Sequence, residues 1–456
     1  MIDFESMYEW VCALPIMDWH NHLDMRMLAE DRPLGSLYEV WVKSDPYKHR
    51  AMRICGEPEW LITGDAPEAE KWAAWMRTLP KLVGNPLFAW AKMEMEWIGI
   101  EGRSHAEAQR RGDRERWLGI ENVSLADWTP SKMLTKFGVE YLSPCVGAGE
   151  LLTGLKEPCP LPNNLVNPVN PVKNEKRRPV VVPSLRMNAG EDISLETLER
   201  FHAAGCRIVD ISVDDVSSFA DNQTIKQSNN QTISVASFAA AHGWTMLLHL
   251  GALRETSARL RAVAGPAGGF AGMRAPVDPA AVAAFLNLLE ATPNPFSHKE
   301  HVGILDPSRG TDTQTLKHSN TQTLPTSLPR TILLSLNPEA HAQLAVLAGS
   351  FVGEGMPGKV QLGPAWWWCD HEEGIRDVLE KNAAYGVLSA FVGMTTDSRS
   401  LLSFVRHDYF RRILCKWVVE KVATGAFPDD EALLRPMLEN VCYRNSESIA
   451  KGEILK

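Results

Sequence analysis

Short hydrophobic runs punctuate the chain, and each one ends in polar or small residues. Most of these runs are continuously apolar rather than alternating, which is typical of parallel strands that are buried on both faces. Stretches with apolar residues at helical spacing, such as 195–204 and 373–384, separate them. Eight runs are predicted to be strands: 16–22, 139–145, 178–184, 207–213, 245–250, 331–336, 359–363 and 388–393.

Strands that alternate with helices predict an α/β protein, and eight such units predict a distorted (β/α)8 TIM barrel that forms a single domain over residues 1–456. The interval between the first two strands is too long for one crossover helix. Its scattered Trp, Met and Leu residues predict a helical cap inserted over residues 28–135. Helical spacing after the eighth strand predicts C-terminal helices. Three polar, partly repetitive segments are expected to be surface-loop insertions: 163–177, 221–233 and 311–327.

The composition excludes several classes of protein. Lys and Arg number 47 against 56 Asp and Glu, and the net charge of −9 argues against a nucleic-acid binder. Neither an apolar run of membrane-spanning length nor a signal-peptide pattern is visible, so no membrane partner is expected. The 8 cysteines form no C-x-x-C pair, which is typical of free thiols in a reducing compartment. We therefore expect a cytoplasmic enzyme.

The motif His20-Asn21-His22 ends the first predicted strand. Residues i and i+2 of a strand project to the same face, so both imidazoles can bind one divalent metal ion. Catalytic residues of a TIM barrel lie at the C-terminal ends of its strands, and here His249 ends the fifth strand while Asp397 follows the eighth. In that register the histidines and the carboxylate form a mononuclear metal site. Asp397 could instead cap the following helix, and His249 could instead hydrogen-bond a substrate.

Arginines occur at the same predicted strand ends, at positions Arg186, Arg254 and Arg399, and the fourth strand carries Asp210. A single arginine usually lies solvated at the surface. Several arginines around a metal site indicate an anionic substrate, because a guanidinium group binds a carboxylate through two hydrogen bonds. The expected ligand is therefore a small acidic molecule, even though the net charge of the chain is negative.

Two other features near the predicted barrel mouth are given a structural interpretation. The run Trp366-Trp367-Trp368 follows the seventh strand and is expected to pack the barrel rim rather than to stack on a sugar. Cys145 and Cys369 have no neighbouring base in the sequence, so neither is predicted to be a nucleophile.

An ordered series of motifs resembles the uronate isomerase (glucuronate isomerase) family of the amidohydrolase superfamily. The motifs are PIMDWHNHL (15–23), SDPYKHRAMRICG (44–56), ITGDAPEAEKWAAW (62–75), LVGNPLFAW (82–90), LLHLGALRETSARL (247–260), GPAWWWCDHEEG (363–374) and GMTTDSRSLLSFVRHDYFRRILC (393–415). The resemblance implies a distorted, metal-dependent hydrolase-like barrel and a homo-oligomer. It also implies an aldose–ketose isomerase that converts D-glucuronate to D-fructuronate and D-galacturonate to D-tagaturonate, with one divalent ion, expected to be Zn²⁺.

The resemblance also implies roles for individual residues. The implied metal ligands are His20, His22, Asp397 and His249. The residues implied to carry proton transfer are Asp397 as base, assisted by Tyr47 or Arg399. The residues implied to contact the substrate are Arg186, which would hold its C6 carboxylate, and Arg254, Asp210 and His249.

The chain departs from the family pattern around the expected substrate. The family typically reads Asp-His-Tyr-Lys-Trp-Arg where this chain reads Asp-Pro-Tyr-Lys-His-Arg, so Pro46 replaces an active-site histidine. His49, three residues on, is not assumed to replace it. After the second strand the family tends to read Thr-Asp-Asp-Pro, whereas this chain reads Ser-Pro-Cys-Val over 143–146. Arg186 is followed by Met-Asn rather than Pro-Asp, and Ala271 replaces an aspartate.

Two other functions remain open from the sequence. The same metal-binding residues could activate water, as in a metal-dependent hydrolase that acts on a sugar-acid lactone or a related ester or amide. The loss of the histidine at Pro46 also leaves open a non-catalytic sugar-acid binder. Retention of the histidine pair and Asp397 weighs against the non-catalytic binder, whereas the changed residues around the expected substrate leave the hydrolase open.

Overall fold

The computed structural model describes residues 3–99, 124–150, 178–213, 225–254, 256–266, 268–296, 326–353 and 355–452. The strands are β1 (Ile16–Asn21), β2 (Val139–Gly147), β3 (Val180–Val181), β4 (Ser184–Asn188), β5 (Ile208–Val213), β6 (Thr245–Leu250), β7 (Ala252–Leu253), β8 (Gly272–Met273), β9 (Arg330–Ser335) and β10 (Val360–Leu362). The α-helices are α1 (Phe4–Ala13), α2 (Met25–Glu30), α3 (Leu37–Trp41), α4 (Pro46–Ile54), α5 (Glu68–Thr78), α6 (Pro86–Gly99), α7 (Pro130–Phe137), α8 (Leu195–Ala203), α9 (Ile225–Ala241), α10 (Ala258–Ala264), α11 (Pro279–Ala291), α12 (His341–Ala348), α13 (Glu372–Tyr385), α14 (Val405–Ala423), α15 (Glu431–Glu439) and α16 (Asn445–Lys451).

Within the described residues, seven strands lie side by side in the order β1-β2-β4-β5-β6-β9-β10, and every neighbouring pair is parallel. The short strand β3 also pairs with β2, while β7 and β8 form a separate antiparallel ribbon. The parallel sheet curls into a half-barrel, and helices pack around it. Parallel neighbours bring their C-terminal ends to one edge of the sheet, where the candidate site lies.

Six of the predicted strands agree with β1, β2, β5, β6, β9 and β10 to within two residues at each end. Strands β5, β6 and β9 are buried at every position. Burial on both faces explains why these strands read as continuous apolar runs rather than as alternating ones.

The third predicted strand, 178–184, is wrong in its extent. Pro183 has no N–H to donate, and the ladder is interrupted between Val180–Val181 and Ser184–Asn188. The longer piece, β4, begins where the prediction ended. Arg186 therefore lies within this strand rather than after it.

The eighth predicted strand, 388–393, is not a strand. Residues Leu388–Ala390 form a 3-10 turn, and Gly393 has a φ of 70°. The side chain of Gln361, in β10, replaces ladder bonds here, because its Oε1 accepts from Val392 N at 3.0 Å and its Nε2 donates to the Ala390 carbonyl at 3.2 Å. Side-chain hydrogen bonds of this kind leave no continuous hydrophobic or backbone pattern in the sequence.

The structure tests only parts of the three predicted polar loop insertions. Residues 163–177 and 221–224 lie outside the described part of the chain, as does most of 311–327. The prediction of a loop is wrong for 225–233, which begins helix α9. The hydroxyl of Thr232 packs against the segment after β4, where it accepts a hydrogen bond from Gly190 N at 3.1 Å. Ser327 is also wholly buried and accepts a 2.8 Å hydrogen bond from Ser237 Oγ.

Helices α2 to α7 lie between β1 and β2 and share a hydrophobic core with residues of those two strands and of the segment 401–404. Trp41 and Trp75 are completely buried there, and their rings meet edge to face with centroids 5.8 Å apart. Lys48 is buried beside them, with Nζ 2.6 Å from Asp45 Oδ2 and 5.7 Å from the Trp41 ring centre. No helix in the described ranges combines the length and the apolar character that a membrane span requires.

Gly393→Ala tests the packing of the irregular segment found where an eighth strand was predicted. A Cβ at residue 393 would lie 2.0 Å from the Val441 carbonyl oxygen, and the φ of 70° disfavours any side chain. We expect a loss of about 1–2 kcal/mol from the backbone conformation and about 1–3 kcal/mol more from overpacking, measured by urea unfolding. The control is Gly425→Ala, where φ is 74° and the space is open, so only the backbone loss applies. Equal losses in the two variants would contradict the close packing at residue 393.

Candidate active site

Two histidines and one aspartate converge at the C-terminal end of β1. His20 lies in this wholly buried strand, and His22 follows its last residue. Asp397 Oδ1 lies 3.2 Å from His20 Nε2 and 3.0 Å from His22 Nε2. The side chain of His20 is 1% exposed, whereas that of His22 is 18% exposed and borders the cavity described below.

The geometry of these atoms fits a divalent metal ion. Within the described part of the chain, His20 Nε2 and Asp397 Oδ1 are buried polar atoms that make no hydrogen bond. Their separation of 3.2 Å is close to the roughly 3.3 Å between ligand atoms around a tetrahedral zinc ion. Two neutral imidazole nitrogens and a carboxylate oxygen form a typical zinc ligand set.

Cys145 in β2 and His249 in β6 lie beside these ligands. Ligand atoms of His20, His22 and Cys145 lie within 4.8 Å of one another, and so do those of His20, Asp210 and His249. His20 is common to both sets, so it is the central side chain of the candidate metal centre.

A buried aspartate in β1 holds the segment that carries Asp397. The Asp18 side chain is 0% exposed and accepts hydrogen bonds from Thr396 N at 2.7 Å and Thr396 Oγ1 at 2.8 Å. Thr395 Oγ1 and His407 Nε2 donate to the same carboxylate at 3.0 and 3.1 Å. Burial would raise the pKa of Asp18, but the bonds from His407 and Thr396 outweigh it and hold the pKa below its usual value. Asp18 therefore acts as a buried anionic acceptor.

Backbone hydrogen bonds complete the attachment to β1. Asp397 N donates to the His20 carbonyl at 3.1 Å, and His22 N donates to the Ser398 carbonyl at 2.8 Å. The backbone of Asp397 has a φ of 47°, in the left-handed region that aspartate tolerates better than most residues. Strained backbone of this kind concentrates at functional sites.

Sequence reasoning missed Asp18 and gave Trp366 only a packing role. Trp366 Nε1 donates to Asp397 Oδ2 at 2.9 Å, so Oδ1 is the carboxylate oxygen that faces the histidines. The Trp366 ring also lies 4.5 Å, centre to centre, from His249. A signal for Asp18 was present, because residues 18, 20 and 22 share one face of a strand. No sequence signal indicated the bond from Trp366.

Electrostatics favour the protonation states that a metal site needs at His22 and Asp397. At His20, burial would lower the pKa, but the contacts with Cys145 and Asp397 outweigh burial and raise the pKa well above its usual value in the absence of metal. Burial lowers the pKa of His22 to about 4, so its imidazole is neutral at physiological pH. Burial alone would raise the pKa of Asp397, but contacts with His20 and His22 hold it well below its usual value. A neutral imidazole and an ionised carboxylate are the forms that bind metal.

A second polar group lies beside the metal ligands. Asp210 Oδ1 accepts from His249 Nδ1 at 2.5 Å, and its Oδ2 accepts from Arg186 Nη1 at 2.5 Å. The bond to Nδ1 fixes the tautomer of His249 and leaves Nε2 as the unprotonated nitrogen. Ser212 Oγ joins the group by accepting from Arg186 Nη2 at 2.6 Å and from Arg254 Nη2 at 3.0 Å.

Asp210 was expected to contact the substrate, and it is not among the residues that line the cavity described below. The residue is 0% exposed, and its carboxylate is surrounded by His249, Arg186 and Cys145. A carboxylate buried in this way acts through the side chains that it holds. Asp210 lies in β5, and the continuous apolar character of this strand in the sequence gave no indication of the face on which Asp210 would lie.

A cavity of about 1620 Å³ opens at the C-terminal ends of the strands. Most of the residues predicted from the sequence line it: His22, Tyr47, Arg186, His249, Arg254, Asp397 and Arg399. Arginines that were not predicted also line it: Arg26, Arg32, Arg261 and Arg274. The cavity wall is therefore richer in arginine than the sequence pattern indicated.

Tyr47 contributes a neutral phenol to this cavity. Its hydroxyl is buried and makes no hydrogen bond within the described residues. Its ring meets Trp90 and Trp368 edge to face, with centroids 6.0 and 5.7 Å away. Burial raises the pKa of Tyr47 well above its usual value, despite the nearby guanidinium of Arg406. The phenol therefore keeps its proton at neutral pH.

Pro46 begins helix α4 and borders the cavity with a side chain that can neither donate nor accept a hydrogen bond. Asp45 caps this helix by accepting from Tyr47 N at 2.9 Å. His49 is absent from the described cavity lining and is only 7% exposed. His49 therefore does not face the cavity that Pro46 borders.

Comparisons with known proteins agree on one family. A family model described as glucuronate isomerase matches residues 3–142 and 309–449. The uronate isomerase of Caldicellulosiruptor bescii is 32% identical over 95% of this chain and 93% of the relative. That of Pectobacterium atrosepticum is 31% identical over 97% of this chain and 94% of the relative. A crystal structure of uronate isomerase from Thermotoga maritima has a similar fold, with a TM-score of 0.73 and 23% identity over 98% of this chain and 96% of that one.

His49→Gln tests the buried position of this histidine through the pH dependence of stability. Burial lowers the pKa of His49 from 6.5 to about 4. Between these values the unfolded chain binds a proton that the folded chain does not, so stability falls as the pH drops from 6.5 towards 4. Between pH 7 and pH 5, the metal-free wild type should lose about 2 kcal/mol more of its unfolding free energy than the variant. Parallel urea-unfolding curves for the two proteins would contradict this burial.

Proposed function

Since the chain belongs to the glucuronate isomerase family, we propose that it interconverts a hexuronate and its keto form by metal-assisted proton transfer between C2 and C1. The proposed conversions are D-glucuronate to D-fructuronate and D-galacturonate to D-tagaturonate. The observation that carries the proposal is the convergence of His20, His22 and Asp397 at the edge of an arginine-lined cavity.

We propose that residues 394–398 occupy the eighth position of a complete (β/α)8 barrel. The backbone bonds of Asp397 and Ser398 to β1 support this assignment on one side. The bonds of Gln361 to Val392 and Ala390 support it on the side of β10. Closure by side chains and isolated backbone bonds would make this the distorted sector of the barrel.

The proposed cofactor is one divalent ion, Zn²⁺, held by His20, His22 and Asp397. When bound, the ion supplies positive charge that stabilises charge on the substrate oxygens during enolisation. His249 directs its Nε2 lone pair either to this ion or to a substrate hydroxyl, because Asp210 takes its Nδ1 proton.

Proton transfer is assigned to residues at the cavity wall. In the reaction C2 and O2 each lose a proton while C1 and O1 each gain one, so the overall composition is unchanged. Asp397 is ionised and can take the C2 proton as general base. Tyr47 retains its phenolic proton and can assist transfer at C1 or O1. Arg399, which is exposed at the cavity, can stabilise the charge that develops on oxygen.

The substrate carboxylate is assigned to the arginines. Arg186 is 28% exposed and is fixed by Asp210 and Ser212, so a guanidinium of set orientation faces the cavity. Arg254 is fixed by Ser212, and its guanidinium carbon lies 5.4 Å from the Trp367 ring centre. Anchoring the C6 carboxylate in this way would hold C1 and C2 near the proton-transfer groups.

The remaining proposals concern partners and location. We propose a cytoplasmic homo-oligomer that acts on a small-molecule hexuronate and binds no nucleic acid. The net charge of −9 supports the last point, because a nucleic-acid partner requires a basic surface.

The direct test is to incubate zinc-reconstituted protein in D₂O with D-glucuronate, D-galacturonate and a uronic-acid lactone. Metal-dependent formation of the keto acids, followed by NMR, is the expected result. Hydrolysis of the lactone without any ketose would overturn the isomerase in favour of a hydrolase. Binding without any turnover would overturn it in favour of a sugar-acid binder.

Asp397→Asn removes the proposed base while preserving the size of the side chain. We expect kcat to fall about 10³-fold, within the range that general-base catalysis contributes, while the thermal unfolding temperature of the metal-free protein stays unchanged because the fold is retained. The matched control is Asp24→Asn, because Asp24 also borders the cavity and asparagine can replace it as the cap of α2. Near-wild-type turnover by the residue 397 variant would contradict the assignment.

Arg186→Met removes the proposed carboxylate anchor. Hydrogen bonds to charged groups contribute about 1.5–3 kcal/mol, so KM for a hexuronate should rise about 10- to 100-fold with a smaller change in kcat. Arg26→Met serves as control, since Arg26 borders the same cavity but its Nε pairs with Glu30 at 3.0 Å on the exposed surface. An unchanged KM in the residue 186 variant would rule out the anchoring role.

A further inference from the structure

The thiol of Cys145 joins the two polar groups of the site. Cys145 lies near the C-terminal end of β2, beside Ser184 of β4, and borders the cavity. Its Sγ lies 3.2 Å from His20 Nδ1 and 3.3 Å from Asp210 Oδ2. One sulfur atom therefore contacts both a candidate metal ligand and the carboxylate that holds His249.

The direction of each hydrogen bond follows from the chemistry of the groups. An ionised carboxylate only accepts, so the single S–H proton of Cys145 goes to Asp210. The single proton of the Ser184 hydroxyl is shared between the Ser143 carbonyl at 3.3 Å and Sγ at 3.4 Å. The remaining contact is satisfied only if His20 Nδ1–H also donates to Sγ.

This arrangement fixes the tautomer of His20. With Nδ1–H committed to Sγ, Nε2 is the nitrogen that can release its proton and bind metal, and that atom lies 3.2 Å from Asp397 Oδ1. A histidine that binds metal through one nitrogen normally donates its other ring N–H to a carboxylate, a carbonyl or water. Here the neighbouring acceptor is a thiol sulfur.

We propose that Cys145 is a positioning residue that orients His20 for metal binding and couples it to the Asp210–His249–Arg186 group. The inference rests on the proposed metal site and adds a residue that acts on it from outside the ligand set. Its position on the Nδ1 side of His20, away from the Nε2 that faces Asp397, separates it from the ligands themselves.

The test compares metal binding by the wild type, Cys145→Ala and Cys145→Ser. Zn²⁺ affinity is measured by competition with a chromophoric chelator, and the ligand geometry is read from the absorption spectrum of the Co²⁺-loaded protein. Cys145→Ala removes the sulfur that accepts from His20 Nδ1–H. This loss should weaken Zn²⁺ binding about 10- to 100-fold and shift the cobalt d–d bands. Serine also donates and accepts, so Cys145→Ser should stay within about threefold of the wild type.

Cys206→Ala is the matched control, because Cys206 is a buried thiol that does not line the cavity and whose Sγ donates to the Ile208 carbonyl at 3.2 Å. It should retain wild-type Zn²⁺ affinity and an unchanged cobalt spectrum. Wild-type affinity and spectrum in Cys145→Ala would overturn the proposal. A thiolate-to-cobalt charge-transfer band that disappears in Cys145→Ala would overturn it by making Cys145 a direct ligand. Absence of metal binding by the wild type would instead refute the proposed metal site.

Discussion

The candidate site depends on one buried carboxylate. Asp18 lies in β1 and accepts hydrogen bonds from Thr395, Thr396 and His407, which arrive from nearly 400 residues away in the chain. Hydrogen bonds to a charged acceptor contribute about 1.5–3 kcal/mol each, and an unsatisfied buried charge is far more costly. The fold therefore strongly favours the arrangement in which Asp397 faces the two histidines of the same strand.

Sequence patterns anticipated the parts of the molecule that repeat. Buried parallel strands such as β5 and β6 are continuous apolar runs, and the period of a strand places His20 and His22 on one face. The irregular parts were inaccessible for a physical reason. The eighth position is held by the side chain of Gln361 and by single backbone bonds, which have no periodicity. Pro183 was visible in the sequence, but its effect on strand extent was not anticipated.

The same distinction between local sequence patterns and long-range contacts applies to the site residues. Ligand types and positions at predicted strand ends singled out His20, His22 and Asp397, because metal chemistry restricts which side chains can serve, and the structure brings the three side chains together. The contacts of Trp366 with Asp397 and of Cys145 with His20 join distant parts of the chain, and neither pair has a sequence separation that a motif could encode. Long-range contacts around a ligand set require the tertiary structure.

Local charge and overall charge oppose each other in this protein. The chain carries a net charge of −9, yet arginines from several elements line the cavity above the sheet. Pro46 and Trp368 make part of the wall unable to accept a proton. A cationic cavity with an ionised aspartate at its base suits a sugar acid that must lose a proton at one carbon.

The central claim is that one metal ion binds where Asp18 brings Asp397 to the histidine pair. Anomalous X-ray scattering at the zinc edge, from crystals of zinc-loaded protein, tests it most directly. We predict one strong peak bonded to Nε2 of His20 and His22 and to Oδ1 of Asp397, at about 2.0–2.2 Å. A zinc peak bonded elsewhere in the protein, with none between these three atoms, would contradict the account.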